Sequence, residues 1–285
     1  MAGLDAIGLT RRAGTHILNV RFKQHYRTEG TLNNRQTEII QLIGKLEKLD
    51  VRSLARRFGV SDMTIRRDLT ELENEGFLVR THGGAVSSGR TRFLQRAFPH
   101  YSVSPEKRAI GKLAAGLVSP GQTVMVDRGT TALEVSMNLP QDAGITVATS
   151  SLCVAQALFG TPMDVLLLGG YLSKDFPGLY GPLTETMLES LHVDVLFIGC
   201  DGADSIDGLY AGDFHIARFQ HAMMGISDKV VVVTESYKFN GKSFARYGQW
   251  NEVNTLVTDP KLSARDRANL ETAGIEVLTA EEGKF

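Results

Sequence analysis

Residues 60–85 read VSDMTIRRDLTELENEGFLVRTHGGA, and this stretch decides how the first third of the chain folds. On a helical wheel of about 100° per residue, Ile65, Leu69 and Leu72 fall within about 60° of one another, which predicts the buried face of a helix. Ser61 is a suitable N-cap for that helix, and we expect the helix to end at Gly76. The opposite face then carries a methionine, threonines and two adjacent arginines.

The residues around this helix complete a recognisable supersecondary pattern. Apolar residues recur at helical spacing over 34–49, which predicts an amphipathic helix there. A second, shorter helix is predicted over 53–58, and Gly59 is suited to end it because glycine tolerates the left-handed conformation. Residues 77–80 and 85–86 can pair as a small hairpin. Helix, helix, tight turn, helix and hairpin predict a winged helix-turn-helix over residues 33–88.

Composition places the chain among globular proteins and excludes several classes. It has 285 residues, of which 42% are hydrophobic and 22% charged. No apolar run reaches the roughly 18 residues of a membrane span, so no membrane partner is expected. Cys153 and Cys200 form no paired motif, which predicts neither a zinc site nor a disulfide framework, and no cofactor or metal is expected. We therefore expect a cytoplasmic protein.

Charge is unevenly distributed although the net charge is only −1. Residues 1–32 hold five Lys/Arg against two Asp/Glu, residues 33–100 twelve against eight, and residues 101–285 fourteen against twenty-two. A basic front and an acidic back favour different partners for the two parts, although random variation in charge accounts for the difference equally well. We expect residues 1–32 to form a poorly ordered basic extension and residues 89–104, which contain Ser, Gly, Pro and arginines, to form a linker.

The remaining residues, 105–285, predict an α/β domain with a mainly parallel sheet. Short apolar runs alternate there with helical patterns, and continuous apolarity indicates strands that are buried on both faces. The predicted strands are 123–127, 145–150, 164–170, 193–199, 229–235, 255–259 and 275–280. The predicted fold class is thus α/β, a winged helix-turn-helix followed by a larger domain.

The outward face of the 61–76 helix suits insertion into the major groove of DNA. Arg can donate two hydrogen bonds to guanine, Thr can contact a thymine methyl group or a phosphate, and a helix N-terminus favours phosphate. Backbone charge would be neutralised by Arg56, Arg57 and Arg80. The alternative is a solvated surface helix whose arginines pair with Asp68, Glu71 and Glu73. On the DNA-binding interpretation, the residues from this segment are Ser61, Met63, Thr64, Arg66, Arg67, Thr70 and Arg80.

Polar residues and glycines follow several predicted strands of the larger domain. Ligands bind beyond the carboxyl ends of strands in an open parallel sheet. The segment 127–131, DRGTT, places a glycine and two Thr hydroxyls where a helix begins, as an anionic phosphate requires, although Thr also caps helices for structural reasons alone. Asp201 could hold sugar hydroxyls, take part in proton transfer or merely form a turn, and Lys238 could neutralise a phosphate. The predicted effector-binding residues are Asp127, Arg128, Gly129, Thr130, Thr131, Ser150, Ser151, Gly169, Gly170, Asp201 and Lys238.

One stretch of the chain resembles a known family. The stretch from Val51 to Ala85, with LA-x-x-FGVS, TIRRDL and HGGA in order, is similar to the N-terminal signature of the DeoR family of bacterial transcriptional regulators. The resemblance implies that Thr64, Arg66 and Arg67 approach DNA. It also implies that His82, Gly83 and Gly84 belong to a wing near the DNA backbone.

The resemblance continues into the larger domain, whose motifs in the family are D-S-G-T-T, T-N, G-G, F-x-G-x-D-G and D-S-S-K-F. It implies a fold similar to ribose-5-phosphate isomerase, a phosphorylated sugar or related metabolite as effector, and repression of a carbohydrate-catabolic operon. The chain departs from the family motifs at Arg128, at Ser150 and at Glu235-Ser236-Tyr237. We expect homo-oligomers, either dimers or tetramers, to bind a double-stranded DNA operator.

Two other functions compete with a regulator. A sugar-phosphate isomerase would need a base and an electrophilic partner together, and the Lys and glycine-rich run of the isomerase pattern is absent after Asp204. An architectural or non-specific DNA binder would not need an acidic domain twice the size of the DNA reader. The sequence therefore predicts a sensor and not an enzyme.

Overall fold

The computed structural model describes residues 33–46, 48–74, 77–88 and 104–281. The predicted extension of residues 1–32, the predicted helix end at Gly76 and all of the predicted linker except Ser104 lie outside the described residues. Among the described residues, none of the helices has both the length and the apolar composition that a membrane crossing requires.

The first part of the chain is a winged helix-turn-helix, as the sequence predicts. In chain order its elements are α1 (Asn34–Leu46), β1 (Lys48–Asp50), α2 (Val51–Phe58), α3 (Asp62–Asn74), β2 (Leu78–Thr81) and β3 (Gly84–Ser87). Strand β3 lies between β1 and β2, and both pairings are antiparallel. Ile65, Leu69 and Leu72 are buried in the core of this domain, which confirms the predicted inner face of α3.

Local capping explains where these helices begin and end. Gly59 has φ 64°, in the left-handed region, and ends α2. The Ser61 hydroxyl accepts a hydrogen bond from the Thr64 N–H at 3.2 Å, so Ser61 caps α3 as predicted. The predicted extension of α1 to residue 49 is wrong, because Leu49 pairs with Ala85 in the three-stranded sheet. Helix α2 begins two residues earlier than predicted because Asp50 caps it.

The larger part of the chain contains a seven-stranded parallel sheet with helices on both faces. Its helices are α4 (Pro105–Ala115), α5 (Thr130–Asn138), α6 (Leu152–Leu158), α7 (Pro182–Glu189), α8 (Phe214–Gly225) and α9 (Ala264–Thr272). Its sheet strands are β4 (Thr123–Val126), β5 (Thr146–Thr149), β6 (Asp164–Leu167), β9 (Val193–Ile198), β12 (Ser227–Val233), β14 (Thr255–Thr258) and β15 (Glu276–Thr279). The spatial order is β15-β14-β12-β9-β4-β5-β6. Each of the seven predicted apolar runs supplies one of these strands.

Two hydrophobic clusters cover the two faces of this sheet. Within β9, Val195 and Phe197 belong to the cluster that α4, α5 and α6 cover, whereas Leu196 and Ile198 belong to the cluster under α7, α8 and α9. This alternation explains why the strands are continuously apolar, since successive side chains point to opposite faces that are both buried.

Short antiparallel strands supplement the parallel sheet. Strands β7 (Tyr171–Leu172) and β8 (Leu179–Tyr180) form a hairpin, and β10 (Gly202–Asp204), β11 (Gly208–Ala211) and β13 (Ala245–Gly248) form a second small sheet. Two 3-10 helices, Ser236–Asn240 and Trp250–Glu252, follow β12 and β13. The sequence analysis does not predict these short elements.

We expect Gly84→Ala to destabilise the winged domain. A Cβ atom at Gly84 would lie 1.8 Å from the backbone oxygen of Leu49, so β1 would have to separate from β3. Overpacking of this kind typically costs about 1–3 kcal/mol. The measurement is thermal unfolding of the full chain together with its affinity for DNA.

Gly83→Ala is the matched control for stability, because no atom of the described residues, apart from Gly83 and its two chain neighbours, lies within 4 Å of the added Cβ. Equal stability of the two alanine variants would contradict the close approach of β1 and β3.

Candidate functional site

The predicted DNA-binding residues lie on one exposed surface of the winged domain. Met63 is 73% exposed, and the side chain of Arg67 is 83% exposed. Thr64 and Thr70 are half-buried at the margins of this surface. The remaining predicted residues are also exposed, namely Ser61, Arg66, Arg80, His82 and Gly83.

Asp68, one of the acidic residues that could have neutralised the arginines, points into the domain instead. It is 3% exposed and accepts hydrogen bonds from Arg35 of α1, at 2.6 Å from Nε and 3.1 Å from Nη2. Such a two-point pairing of guanidinium and carboxylate is strong and geometrically specific. Asp68 therefore holds α3 against α1 and is not available to Arg66 or Arg67.

Arg66 has no acidic partner in the described part of the chain, and two further carboxylates of α3 contact other groups. Glu71 accepts from Arg67 Nε at 3.1 Å, and Glu73 accepts from the backbone N–H of Arg80 at 2.7 Å. The contact between Arg67 and Glu71 is an exposed i,i+4 pair, which contributes only about 0.3–0.5 kcal/mol. A stronger acceptor, such as a DNA base or phosphate, can displace it.

The wing is joined to α3 by a direct contact. Arg80 of β2 donates from Nη1 to the Thr70 hydroxyl at 2.8 Å. The turn between β2 and β3 consists of His82 and Gly83, both exposed. The positions of α3 and the wing relative to each other are thereby fixed on one surface.

A cavity of about 230 Å³ lies beyond the carboxyl ends of β4, β9 and β12. Its size suits a small metabolite. The lining includes seven predicted effector-binding residues, which are Asp127, Arg128, Gly129, Thr130, Thr131, Asp201 and Lys238. It also includes Lys107, Phe176, Gly199, Cys200, Gln220, Val233, Thr234, Glu235 and Tyr237.

The N-terminus of α5 opens into this cavity. Gly129 is its N-cap residue, and no side chain provides a capping hydrogen bond. The first N–H groups of the helix, those of Thr130 and Thr131 among them, have no acceptor within the helix. With the partial positive charge of the helix end, they form a site that favours an anion.

Two buried oxygen atoms in the cavity wall lack hydrogen-bond donors. Asp127 is 2% exposed, and its Oδ2 accepts from Gln220 Nε2 at 2.8 Å and from the Gly199 N–H at 3.4 Å. Among the described residues, neither Asp127 Oδ1 nor Gln220 Oε1 has a hydrogen-bond partner. Leaving a buried acceptor unsatisfied costs about 1–3 kcal/mol. A ligand hydroxyl would supply the missing donor.

Three cationic side chains line the cavity. Lys107 forms an ion pair with Glu235 at 3.4 Å. Arg128 lies over the ring of Phe176, and Lys238 lies 5.1 Å from the ring centre of Tyr237. Within the described part of the chain, neither Arg128 nor Lys238 forms an ion pair with a carboxylate. These two cations are free to meet a negatively charged ligand.

Cys200 is the cavity residue that a nucleophilic mechanism would use. Burial raises the pKa of its thiol to about 11. The thiol therefore stays protonated at neutral pH, whereas the thiolate is the nucleophilic form. The described residues also contain no cluster of three His, Cys, Asp or Glu side chains that could hold a metal ion.

Four predicted effector-binding residues do not line the cavity. Ser150 and Ser151 are buried, and Ser151 caps α6. Gly169 and Gly170 face the first turn of α7, where the Thr184 hydroxyl donates to the Gly169 carbonyl oxygen. Ser150 and Ser151 follow β5, and Gly169 and Gly170 follow β6. These two strands lie beyond β4 at one end of the strand order.

Lys107, Phe176 and Gln220 line the cavity, but the sequence analysis does not predict them as site residues. The sequence could have indicated Gln220, because it is a polar residue among the buried positions of α8. No sequence pattern indicates Phe176, because its loop reaches the cavity only through the folding of the β7–β8 hairpin.

The cavity is connected to the last residue of the predicted linker. Ser104, the N-cap of α4, donates from its hydroxyl to Glu235 Oε1 at 3.0 Å and to Glu106 at 2.7 Å. Glu235 also pairs with Lys107, one turn further along α4. Glu235 thus holds the first turn of α4 against the cavity.

The loop that carries Lys238 packs against the single tryptophan of the chain. Phe239 stacks on Trp250, with ring centres 6.0 Å apart and an interplanar angle of 10°. Trp250 is 3% exposed, and its indole N–H donates to the Asp204 carbonyl oxygen at 2.7 Å. The position of the Lys238 loop is therefore fixed to the β10–β11 turn.

A winged helix-turn-helix joined to a domain with a metabolite-sized cavity defines a DNA-binding transcriptional regulator of the effector-sensing class. Two family models match the chain: the DeoR-like helix-turn-helix domain over residues 35–91 and the DeoR C terminal sensor domain over residues 102–260. The chain belongs to the DeoR family, which confirms the resemblance noted in the sequence.

Three relatives illustrate this membership. The HTH-type transcriptional regulator GlpR of Haloferax volcanii is 35% identical, covering 86% of this chain and 96% of the relative. The transcriptional repressor AccR of Agrobacterium fabrum is 33% identical over 79% of this chain and 89% of its own. The L-fucose operon activator of Haemophilus influenzae is 31% identical over 81% and 93%.

Solved structures with a similar arrangement are more distant. The sorbitol operon regulator SorC of Klebsiella pneumoniae matches 84% of this chain and 100% of its own, with 15% identity and a TM-score of 0.36. Ribose 5-phosphate isomerase A of Methanocaldococcus jannaschii matches 44% of this chain and 50% of its own, with 16% identity and a TM-score of 0.33. Likenesses at this level carry no argument about function.

We expect Arg67→Ala and Arg80→Ala to weaken DNA binding in different ways. Loss of a base contact from Arg67 should reduce discrimination at one base pair by about 1–3 kcal/mol. Loss of a phosphate contact from Arg80 should weaken binding to all sequences alike and reduce the salt slope by about 1. Binding selection on randomised duplexes, followed by titrations at several salt concentrations, measures both effects.

The two variants control for each other, because each removes one exposed arginine from the same surface. An unchanged site preference for Arg67→Ala would contradict base reading by this residue.

Proposed function

We propose that this regulator represses a carbohydrate-catabolic operon and that a phosphorylated sugar modulates its DNA binding. The observation that carries the proposal is the chemistry of one cavity. Within the described part of the chain, a helix N-terminus without a side-chain cap, two cations without a carboxylate partner and two buried acceptors without donors line it together. An anionic group with hydroxyl-bearing carbons attached is complementary to all three features.

The roles within the cavity divide along these features. We assign the phosphate to the N–H groups and hydroxyls of Thr130 and Thr131, with Lys238 as its countercharge. Asp127, whose Oδ1 lacks a donor, takes a sugar hydroxyl, and Asp201 takes another from the mouth of the cavity.

The predicted residues outside the cavity have a supporting role in this proposal. Gly169 and Gly170 allow the close approach of α7, where a Cβ at Gly170 would lie 2.1 Å from the Thr184 hydroxyl. Ser150 accepts through its carbonyl oxygen from the Leu179 N–H at 2.9 Å and so positions the loop that carries Phe176.

On the DNA side, we propose that α3 enters the major groove and that the wing contacts the backbone. Arg66 and Arg67 read base edges, and Arg80, His82 and Gly83 lie near phosphates. The assignment is supported by the exposure of this face and by the engagement of Asp68 and Glu73 elsewhere. We divide the chain accordingly into a DNA-binding domain of residues 33–88, a linker of residues 89–104 and a sensing domain of residues 105–285.

Effector binding can reach the DNA-binding domain through the first turn of α4. Lys107 lines the cavity and pairs with Glu235, so an anionic ligand competes with Glu235 for this lysine. A change in that pairing acts on Ser104, the residue at the end of the linker. Such a ligand shifts the balance between DNA-competent and incompetent arrangements by as much as its affinities for the two differ.

The proposal also includes repression as the direction of regulation and a homo-oligomer as the assembly. Among the relatives, AccR is named a repressor and the Haemophilus influenzae protein an activator, and we propose repression here. A cytoplasmic homo-oligomer, dimer or tetramer, would place two winged domains on adjacent half-sites. Exposed apolar side chains of the β7–β8 hairpin and the first turn of α7 support self-association, namely Tyr171, Leu172, Tyr180 and Leu183. Light scattering and footprinting of a palindromic site would test this arrangement.

We also propose that the sensor domain does not catalyse isomerisation. The residues after Asp204, where the isomerase pattern would place its Lys and glycine-rich run, form a turn, β11 and the start of α8. Lys242, whose side chain lies beside this turn, pairs with Asp204 and Asp207 and does not line the cavity. Incubation with ribose 5-phosphate and hexose phosphates should yield no ketose, and robust turnover would overturn the sensor interpretation.

We expect Thr130→Ala and Lys238→Ala to retain DNA binding and lose the effector response. Removing the charge of Lys238 should raise the effector concentration for half-maximal release of DNA by roughly 10–100-fold, because hydrogen bonds to charged groups contribute about 1.5–3 kcal/mol. Removal of the Thr130 hydroxyl should raise this effector concentration by a smaller factor. Fluorescence anisotropy of operator DNA, titrated with sugar phosphates, measures both.

Lys229→Ala is the matched control, since this lysine lies in β12 at the end of the strand opposite the cavity. A normal response of Lys238→Ala would mean that the phosphate site lies elsewhere.

A further inference from the structure

Arg128 is held in a defined orientation at one side of the cavity. Its guanidinium carbon lies 4.3 Å from the ring centre of Phe176, which belongs to the loop between β7 and β8. Both residues line the cavity and both are half-buried. Stacking on an aromatic face fixes the plane of a guanidinium while leaving its N–H edges open. Arg128 therefore presents a pre-oriented donor edge to the cavity.

The carboxylates of the cavity are already bound to donors of the protein. Glu235 accepts from Ser104 and pairs with Lys107, and Asp201 accepts from the Gly212 N–H at 2.8 Å. Asp127 accepts from Gln220. Arg128 consequently has no acidic partner among the described residues, although it lies in a site that contains three carboxylates.

Arg128 and Lys238 reach the cavity from different strands of the sheet. Lys238 follows β12, whereas the loop that carries Phe176 runs along the residues after β5, where Leu152 donates to Pro177 and Leu179 to Ser150. Arg128 itself follows β4, which β9 separates from β12 in the sheet. Two strand spacings of about 4.8 Å correspond to roughly 10 Å between β4 and β12.

The phosphate site proposed above has positive partners without Arg128. A phosphate at the N-terminus of α5 is neutralised by the helix end together with Lys238, whereas the guanidinium of Arg128 stacks on Phe176. Arg128 is therefore a cation additional to those that this phosphate site uses.

We propose, resting on the function proposed above, that the effector carries a second anionic group and that Arg128 binds it. The group is a carboxylate or a second phosphate at the other end of the sugar from the first phosphate. Both have the planar or forked pair of oxygens that a guanidinium edge recognises by two parallel hydrogen bonds. Arg128 is then the residue that selects two-anion sugars over sugar monophosphates.

The test compares ligand pairs in which one member carries a second anionic group. Isothermal titration calorimetry of the full chain would use fructose 6-phosphate against fructose 1,6-bisphosphate, and glucose 6-phosphate against 6-phosphogluconate. The wild-type chain should bind at least one two-anion member roughly 10–100-fold more tightly than its monophosphate partner. The bisphosphate and carboxylate pairs distinguish the two sources of the second charge.

Arg128→Ser should remove this preference while changing the affinity for monophosphates by less than about threefold. Arg128 makes no hydrogen bond among the described residues, so this variant should fold normally, and its unfolding temperature is the check. Phe176→Leu keeps the charge but removes the stacking surface, and it should reduce the preference in part. Lys229→Ala should leave both affinities unchanged.

Two results would overturn the proposal while leaving the proposed function intact. One is equal binding of both members of each pair by the wild-type chain. The other is an equal loss of affinity for both members in Arg128→Ser, which would place Arg128 on the first phosphate. Absence of binding by every phosphorylated sugar would instead overturn the proposed function, and this inference with it.

Discussion

Strand β9 pairs in parallel with β4 on one side and with β12 on the other, in a register that aligns Val195 with Val124. Parallel strands all end at the same edge of a sheet, so this pairing brings Asp127, Gly199 and Glu235 together from distant parts of the sequence. The Asp127 N–H still bonds to the sheet, through the Phe197 carbonyl oxygen at 3.0 Å, before the chain turns into α5. The cavity exists only while these three strands stay in register.

The carboxyl edge of the sheet lines the ligand cavity and also contacts the first turn of α4, which leads to the rest of the chain. Glu235 leaves the sheet at the cavity, yet its two oxygens are committed to Ser104 and Lys107 of α4. In the winged domain a comparable arrangement turns Asp68 inward onto Arg35, so the outer face of α3 keeps its positive charge. In both domains, carboxylates that bind protein donors leave other cations available for anions.

The regular elements were predictable because their signals are local. Apolar runs that are buried on both faces predicted the seven strands, and Ile65, Leu69 and Leu72 predicted the inner face of α3. Leu49 shows the limit: it continues the helical spacing of α1, but pairing with Ala85 places it in a strand. The DRGTT motif could be placed at the cavity from sequence. Phe176 could not, because its position depends on the long-range contact between its loop and the end of β5.

Trp250 has a consequence beyond packing. The chain contains a single tryptophan, it is shielded from solvent, and its ring lies flat against Phe239, the neighbour of Lys238. Any displacement of that loop when a metabolite arrives alters the surroundings of one indole. The protein thus carries an intrinsic optical probe beside its ligand cavity, and emission from the native chain can follow occupancy in real time without any label.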